Sequence, residues 1–420
     1  MQYKMSLIHC NKKILILGAG EGQVPLIQRA KNAGCYVIVV SPDGNYPGFA
    51  YADECVYADI SSAERILEIA KEQQIQAIAT DQTDVSIPSV QYVAQALNLS
   101  CIKCDNIENF RYKSLMREIC YQNGIPTIRF CSTNDISNAI EFYNTLLDHK
   151  AIVKPVDSQG SRGVTVVQSI SELQEAFSVA QKYSKSQNVI VEQFIEGQEI
   201  EIDTVVKDGQ IIGTLVGDVH NFTSENAFSA YERIYPSMLY TGADLERIKA
   251  VNECTIKALG LITGWAHGEY IVSKTGEVYL LEVGARGGGN YIGSDIVKTM
   301  LGVGTDEMAF KTALGDESFY QDIFLRDKCC AYKCFYLPEG SIESVDINWE
   351  YFNQPFVLRH NLADLKIGLK TAKNTDKTSR HTIVVGAESK EKLRILLDEI
   401  PNHINVKVSN EQGMQSAIWK

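Results

Sequence analysis

The first hundred residues alternate short β-branched runs with amphipathic helices, and that alternation leaves few folds open. Ile14-Leu15-Ile16-Leu17 reads as a buried strand, Gly18-Ala19-Gly20-Glu21-Gly22 as a tight turn, and Pro25 to Ala33 as a helix stopped by Gly34. Val37-Ile38-Val39-Val40 is a second strand and Ala77-Ile78-Ala79-Thr80 another. Between them Ser61-Ser62-Ala63-Glu64 has the form of a capping box opening a helix to about Gln73. Such alternation implies βαβ units and a parallel sheet. Residues 1–108 are therefore read as an α/β N-terminal domain.

The pattern changes near Asn109. A helix from about Lys113 to Asn123 ends at Gly124, and strands joined by short turns follow. Asp208-Gly209 closes a hairpin between Glu199–Val206 and Ile211–Leu215. Asp244 to Leu259 is helical, and Ala266–Val272 with Val278–Val283 forms another hairpin. Residues 109–325 thus read as α+β with antiparallel sheets, including a small subdomain over about 126–197. Residues 326–420 read as a small C-terminal α+β unit with a helix at Lys390–Glu399.

Composition excludes some partners. The net charge of −12 argues against nucleic acid, which demands a basic footprint. No apolar run is long enough for a transmembrane helix, and the first ten residues lack a signal-peptide core, so a cytoplasmic protein with no membrane partner is expected. Eleven cysteines then read as reduced thiols, and neither Cys101-x-x-Cys104 nor Cys329, Cys330 and Cys334 has a second ligand pair at zinc-like spacing.

The strongest chemical signal is the hairpin Gly268 to Glu282. Pairing outward from a turn centred on Thr275-Gly276 sets Glu269 opposite Glu282 on one face. Opposed carboxylates repel unless a cation bridges them, and Mg²⁺ held by carboxylates and nucleotide phosphates is the usual case. Two solvated acids are the plainer alternative. The segment that follows, Val283-Gly284-Ala285-Arg286-Gly287-Gly288-Gly289-Asn290, lets backbone approach a ligand. There Arg286 offers a planar fork for a carboxylate or phosphate, and Asn290 a neutral oxygen.

Three further motifs are weaker. Lys154 ends a strand before the polar loop Ser158-Gln159-Gly160-Ser161-Arg162-Gly163, whose backbone can form an anion nest, or an ordinary hairpin connection. The stretch Glu192-Gln193-Phe194-Ile195 can present backbone to an adenine edge, with Glu199 accepting from ribose hydroxyls. Glu199, Glu201 and Asp203 alternate, so a solvated strand face is the other reading. The Gly18 turn nearly fits a dinucleotide fingerprint, but Gln23 stands where Gly or Ala is wanted.

In this order and spacing the segments resemble the ATP-grasp superfamily, which includes biotin carboxylase, D-alanine–D-alanine ligase, the carbamoyl-phosphate synthetase large chain and the L-amino acid ligases. The resemblance implies an ADP-forming ligase using ATP with Mg²⁺, or Mn²⁺ in its place, to join a small carboxylate to an amine; it also implies a homodimer. By position Lys113 and Lys154 match the ATP lysines, and Gln159, Gly160, Ser161 and Gly163 fall in the phosphate-covering loop. Glu192, Gln193, Phe194 and Ile195 match the adenine hinge, Glu199 the ribose acid, and Glu269 and Glu282 the metal acids. Arg286, with Gly288, Gly289 and Asn290, matches the segment holding substrate or intermediate, and Arg286 and Lys154 carry the catalytic roles. Two positions depart from the pattern. Gly284 stands where many relatives have a metal-binding Asn. In Tyr231-Glu232-Arg233-Ile234-Tyr235-Pro236-Ser237, Glu232 fits an amine-binding acid, but Tyr235 replaces the usual His. The rival readings are a ligase acting on a phosphoribosyl compound, an NAD(P)-dependent oxidoreductase, and a non-catalytic ATP-binding protein.

Overall fold

Hydrophobic alternation sorts the chain into four sheets among the residues described by the computed structural model, 11–157, 162–222, 229–372 and 380–420. The N-terminal sheet is parallel in the order Glu54–Tyr57, Tyr36–Ser41, Lys13–Leu17, Ala77–Ala79. Its central strands are apolar on both faces because helices cover both sides. The expected helices lie at Val24–Asn32 and Ala63–Gln73, with a further helix at Ile87–Leu97. The capping box does not form: Ser62 stands at the N-cap but makes no side-chain capping bond.

The largest sheet runs Val278–Gly284, Leu261–Ser273, Gly197–Lys207, Gln210–Asn221, Ala230–Tyr235, Cys329–Phe335, His381–Ala387, Val357–His360, with Lys103–Cys104 beside Leu261–Ser273. The C-terminal stretch is therefore not wholly a separate unit, since Cys329–Phe335 continues this sheet next to Ala230–Tyr235. A second sheet of Lys370–Thr371, Gly340–Ile347, Ile404–Asn410 and Gly413–Ser416 completes that end. Helix Lys390–Glu399 lies where the sequence indicates. Phe130–Thr133, Val189–Gln193, Ala151–Pro155 and Thr165–Val167 form a small antiparallel sheet. No helix among the described residues is long and apolar enough to cross a membrane.

The two faces of the large sheet differ in a way that locates the chemistry. One face presents Ile200, Ile202, Ala266 and Tyr270 to helices Lys113–Gln122 and Gly242–Leu259. Burying Ile200 and Ile202 contributes about 1.5–3 kcal/mol each. The other face packs Val205, Leu215 and Trp265 against Ile292–Val297 and Thr305–Ala313. On that same face, one or two residue pairs along, the packing gives way to buried Glu201, Asp203 and His267. Buried charge at this density requires a reason.

Candidate functional site

Where the small sheet, the large sheet and helix Lys113–Gln122 meet, they enclose a cavity of about 300 Å³. Its polar lining includes Lys113, Lys154, Arg162, Glu192, Gln193, Glu199, Glu269 and Glu282, with Ile128, Ile152, Phe194, Ile195, Ile271 and Leu281 as apolar walls. Most of the residues expected around a nucleotide are thus brought together from distant parts of the chain. Gln159, Gly160 and Ser161 lie outside the described residues. Gly163 is described, and its neighbours Arg162 and Val164 line the cavity.

Glu192 has a partnership that the sequence did not disclose. Its side chain is fully buried and accepts from Arg117 Nε at 2.8 Å and meets Lys154 Nζ at 2.5 Å. Its side chain therefore serves a charge cluster at the cavity edge, and Gln193, Phe194 and Ile195 continue the cavity lining. Burial alone would raise the Glu192 carboxyl; Arg117 and Lys154 outweigh it and hold it at about 2. Lys154 is likewise held below its ordinary value, pushed down by burial and by Arg117 and Lys113 despite Glu192. One carboxylate shared by two buried cations leaves local positive charge suited to an anion. Arg117 was missed because a lone Arg in a helix carries no motif; its i+4 spacing from Lys113 was the available signal.

Glu269 is the Cα partner of Glu282, as the hairpin reading expects, but by another route. Next to the turn the ladder pairs Val272 with Val278 and Tyr270 with Leu280, a register one residue off the expected one. A bulge between Tyr270 and Glu269 then inserts Leu281 and restores the acid pair. Lys113 Nζ lies 3.1 Å from Glu282 Oε1. Across the next strand Glu201 is the partner of Glu269. Burial raises the Glu199 carboxyl, Asn221 opposes the rise by donating at 2.8 Å, and the Glu269 charge adds to it.

Behind the acids stands a buried network that the sequence reading also passed over. Arg233 Nη2 meets Glu201 Oε1 at 2.5 Å, and the Tyr235 hydroxyl donates to Glu201 Oε2 at 3.0 Å. His267 Nδ1 and Asp203 Oδ1 are 2.9 Å apart. Burial disfavours the imidazolium, but Asp203 and Glu201 outweigh it and lift His267 to about 9. Glu201, His267 and Glu269 bring ligand atoms within 4.8 Å of one another. The spacing His267-x-Glu269, two residues along one strand face, was the available clue.

The glycine-rich segment is anchored to the N-terminal domain. Arg286 makes two bonds to Asp84, Nε to Oδ1 at 2.8 Å and Nη2 to Oδ2 at 3.0 Å. Asp81 accepts from the Gly287 amide at 2.9 Å and the Thr305 hydroxyl at 2.6 Å. A Cβ on Gly288 would stand 2.8 Å from His267 Nδ1, so only glycine lets the backbone pass there. Asn290 and Tyr291 both adopt left-handed backbone, turning the chain sharply after Gly289. Arg286, Gly288, Gly289 and Asn290 lie outside the lining of the cavity that holds the lysines.

Two expectations do not survive the geometry. Glu232 is buried between Lys333 at 3.1 Å and Arg394 at 2.7 Å. Its neighbour Arg233 points to Glu201, so strand alternation turns Glu232 to the opposite face, and it is not presented to the site. The dinucleotide reading of the Gly18 turn fails because the Gln23 side chain fills it. Gln23 accepts from the Gly20 amide and donates to the Asp81 carbonyl, and a Cβ on Gly18 would meet it at 3.0 Å.

Residues 121–290 match the family model described as D-ala D-ala ligase C-terminus. A D-alanine–D-alanine ligase from Geobacter sulfurreducens is 33% identical over 140 residues, 32% of this chain and 42% of that protein. The chain spans about half the length of the curated relatives it matches. The L-amino acid ligase from Bacillus licheniformis superposes with a TM-score of 0.78 at 23% identity, covering 95% of this chain and 99% of that one. Phosphoribosylglycinamide synthetase from Anaerococcus prevotii superposes with a TM-score of 0.74 at 24% identity, covering 94% and 99%. Residues 121–290 are thus similar to the D-ala D-ala ligase C-terminus, and the chain shares its fold with the L-amino acid ligase and phosphoribosylglycinamide synthetase structures.

Proposed function

We propose that this protein is an ADP-forming ligase that activates a small carboxylate, such as an amino acid, as its acyl phosphate and joins it to an amine. The observation that carries the reading is one cavity that holds Lys113 and Lys154 against the opposed acids Glu269 and Glu282. The residues fit a nucleotide and a divalent cation. Lys154 shares its only described carboxylate partner with Arg117, which leaves room for phosphate charge. Glu199, Glu201, Glu269 and Glu282 crowd together, as the raised Glu199 carboxyl reflects, which leaves room for a cation. Mg²⁺ or Mn²⁺ held by Glu269 and Glu282 would supply charge neutralisation at the nucleotide phosphates.

The rest is the work of the chain's own groups. Lys113 and Lys154 bind phosphate oxygens, Glu199 accepts from the ribose, and the Gln193–Ile195 backbone with the apolar walls holds the base. The substrate carboxylate attacks the γ-phosphate in line and ADP leaves. The amine then attacks the acyl carbon, phosphate departs, and the amine loses a proton. Arg286, its guanidinium plane fixed by Asp84, holds the carboxylate or acyl phosphate in this reading. Positioning and charge stabilisation do most of this work.

The likeness to phosphoribosylglycinamide synthetase raises a second reading, a phosphoribosyl substrate. Against it, Arg359 and Arg29 on the N-terminal side are each already held by a carboxylate, from Asp295 and Asp306. The test is to supply candidate carboxylates with hydroxylamine and Mg-ATP. ADP and a hydroxamate are expected; AMP and pyrophosphate would sink the proposal. Turnover only with phosphoribosylamine and an amino acid would favour the second reading.

A further inference from the structure

We propose that Arg117 is a positioning residue that sets the metal acids in register and divides one carboxylate between itself and the nucleotide lysine; this rests on the ligase reading above. Its guanidinium is 1% exposed and spans two strands from different sheets. Nε donates to Glu192 at 2.8 Å, and Nη2 donates to the carbonyl of Leu281 at 2.8 Å.

Leu281 is the bulged residue. The register near the turn, Tyr270 with Leu280, carried on without interruption would set Leu281 opposite Glu269. A one-residue slip sends every following side chain to the other face. Glu282 would then point toward the apolar face that holds Tyr270, Leu280 and Val283, and the acid pair would not exist. A bulge leaves its extra residue outside the ladder, so its backbone groups need other partners. Arg117 supplies the partner for the Leu281 carbonyl.

The second arm acts on the other half of the site. Glu192 meets Lys154 at 2.5 Å while it also accepts from Arg117. Without Arg117 the whole carboxylate would belong to Lys154 and compete with phosphate for it. One planar fork therefore couples the acid that would hold a cation to the lysine that would hold phosphate. A lysine at position 117 is a point charge and cannot make both bonds in one plane.

The test measures Mn²⁺ binding by electron paramagnetic resonance in the presence of β,γ-methylene-ATP, with melting temperature as a folding check. Arg117→Lys should weaken Mn²⁺ binding by about 10- to 100-fold, the usual effect of removing a group that orients a ligand. Deleting Leu281 removes the residue that demands the bulge, and Glu282 then falls opposite Glu269 in a regular ladder. In that background Arg117→Lys should leave Mn²⁺ affinity unchanged while still altering affinity for the nucleotide. Glu192→Gln, which spares the Leu281 bond, should shift nucleotide affinity and not Mn²⁺ affinity. A folded Arg117→Lys protein with wild-type Mn²⁺ affinity overturns the inference. If that variant does not fold, the doubly altered protein decides: further loss of Mn²⁺ on adding Arg117→Lys to the deletion overturns it. Wild-type protein that binds no Mn²⁺ with the analogue overturns the ligase reading instead.

Discussion

Lys113 Nζ stands 3.1 Å from Glu282 Oε1, so the cation proposed for the nucleotide also faces the acid proposed for a metal. Lys113 is nearly buried and Glu282 is about one-quarter exposed, which makes the pair weak as a fold-stabilising contact. Glu282→Gln should therefore abolish metal-dependent ADP release while changing unfolding free energy by about 1 kcal/mol or less. ADP release and urea denaturation on the same preparation check both halves, and an active variant refutes the metal role.

The opposite balance holds at Glu192. Replacing it with Leu would strand Arg117 and Lys154 in a buried site without their shared carboxylate. Breaking a buried ion cluster from one side typically costs about 3–5 kcal/mol. Urea denaturation should show a loss of that size for Glu192→Leu. Lys154→Met should lose less, because Arg117 still compensates Glu192, yet it should weaken nucleotide binding more than it weakens the fold.

Asp81 links the end of the parallel sheet to Gly287 and Thr305. Burial lifts its carboxyl to about 6, against the lowering by those hydrogen bonds. The folded value lies above the ordinary 3.8, so between the two the folded protein binds the proton more tightly. Stability from this group is present below about pH 4 and is lost as pH rises through about 6, by about 3 kcal/mol at most. Asp81→Asn should flatten that part of the stability profile, measured by urea unfolding between pH 4 and 7. An unchanged slope would show that another group sets it.

Asp84 holds Arg286 through a two-point contact that fixes the plane of the guanidinium. Asp84→Asn keeps the shape but weakens that hold. Small misplacements of a reacting group can cost up to about 100-fold in rate. The variant should lower kcat for acyl transfer with little change in the KM for ATP. Equal losses in both would place the effect on the fold rather than on Arg286.

What the sequence determined by itself was mostly local. The parallel N-terminal sheet followed from β-branched runs alternating with helices, because each element carries its own period. The hairpin of Glu269 and Glu282 followed from a turn with matched flanking runs, and Lys154 from a strand ending at a polar loop. Only tertiary structure decided how these pieces complete one another. Glu192 looked like part of a hinge, and only packing showed it shared by Arg117 and Lys154, because long-range charge pairing leaves no periodic trace. Glu232 looked like a ligand, yet the register of Ala230–Tyr235 against Cys329–Phe335 turned it away. Even the acid pair was right for an incomplete reason. Turn arithmetic set Glu269 opposite Glu282, whereas the folded chain reaches that pairing through a bulged Leu281 whose carbonyl is held by an arginine from another element. Local propensity fixes which strands form; burial and the need to satisfy every buried charge and backbone group fix which residues finally meet.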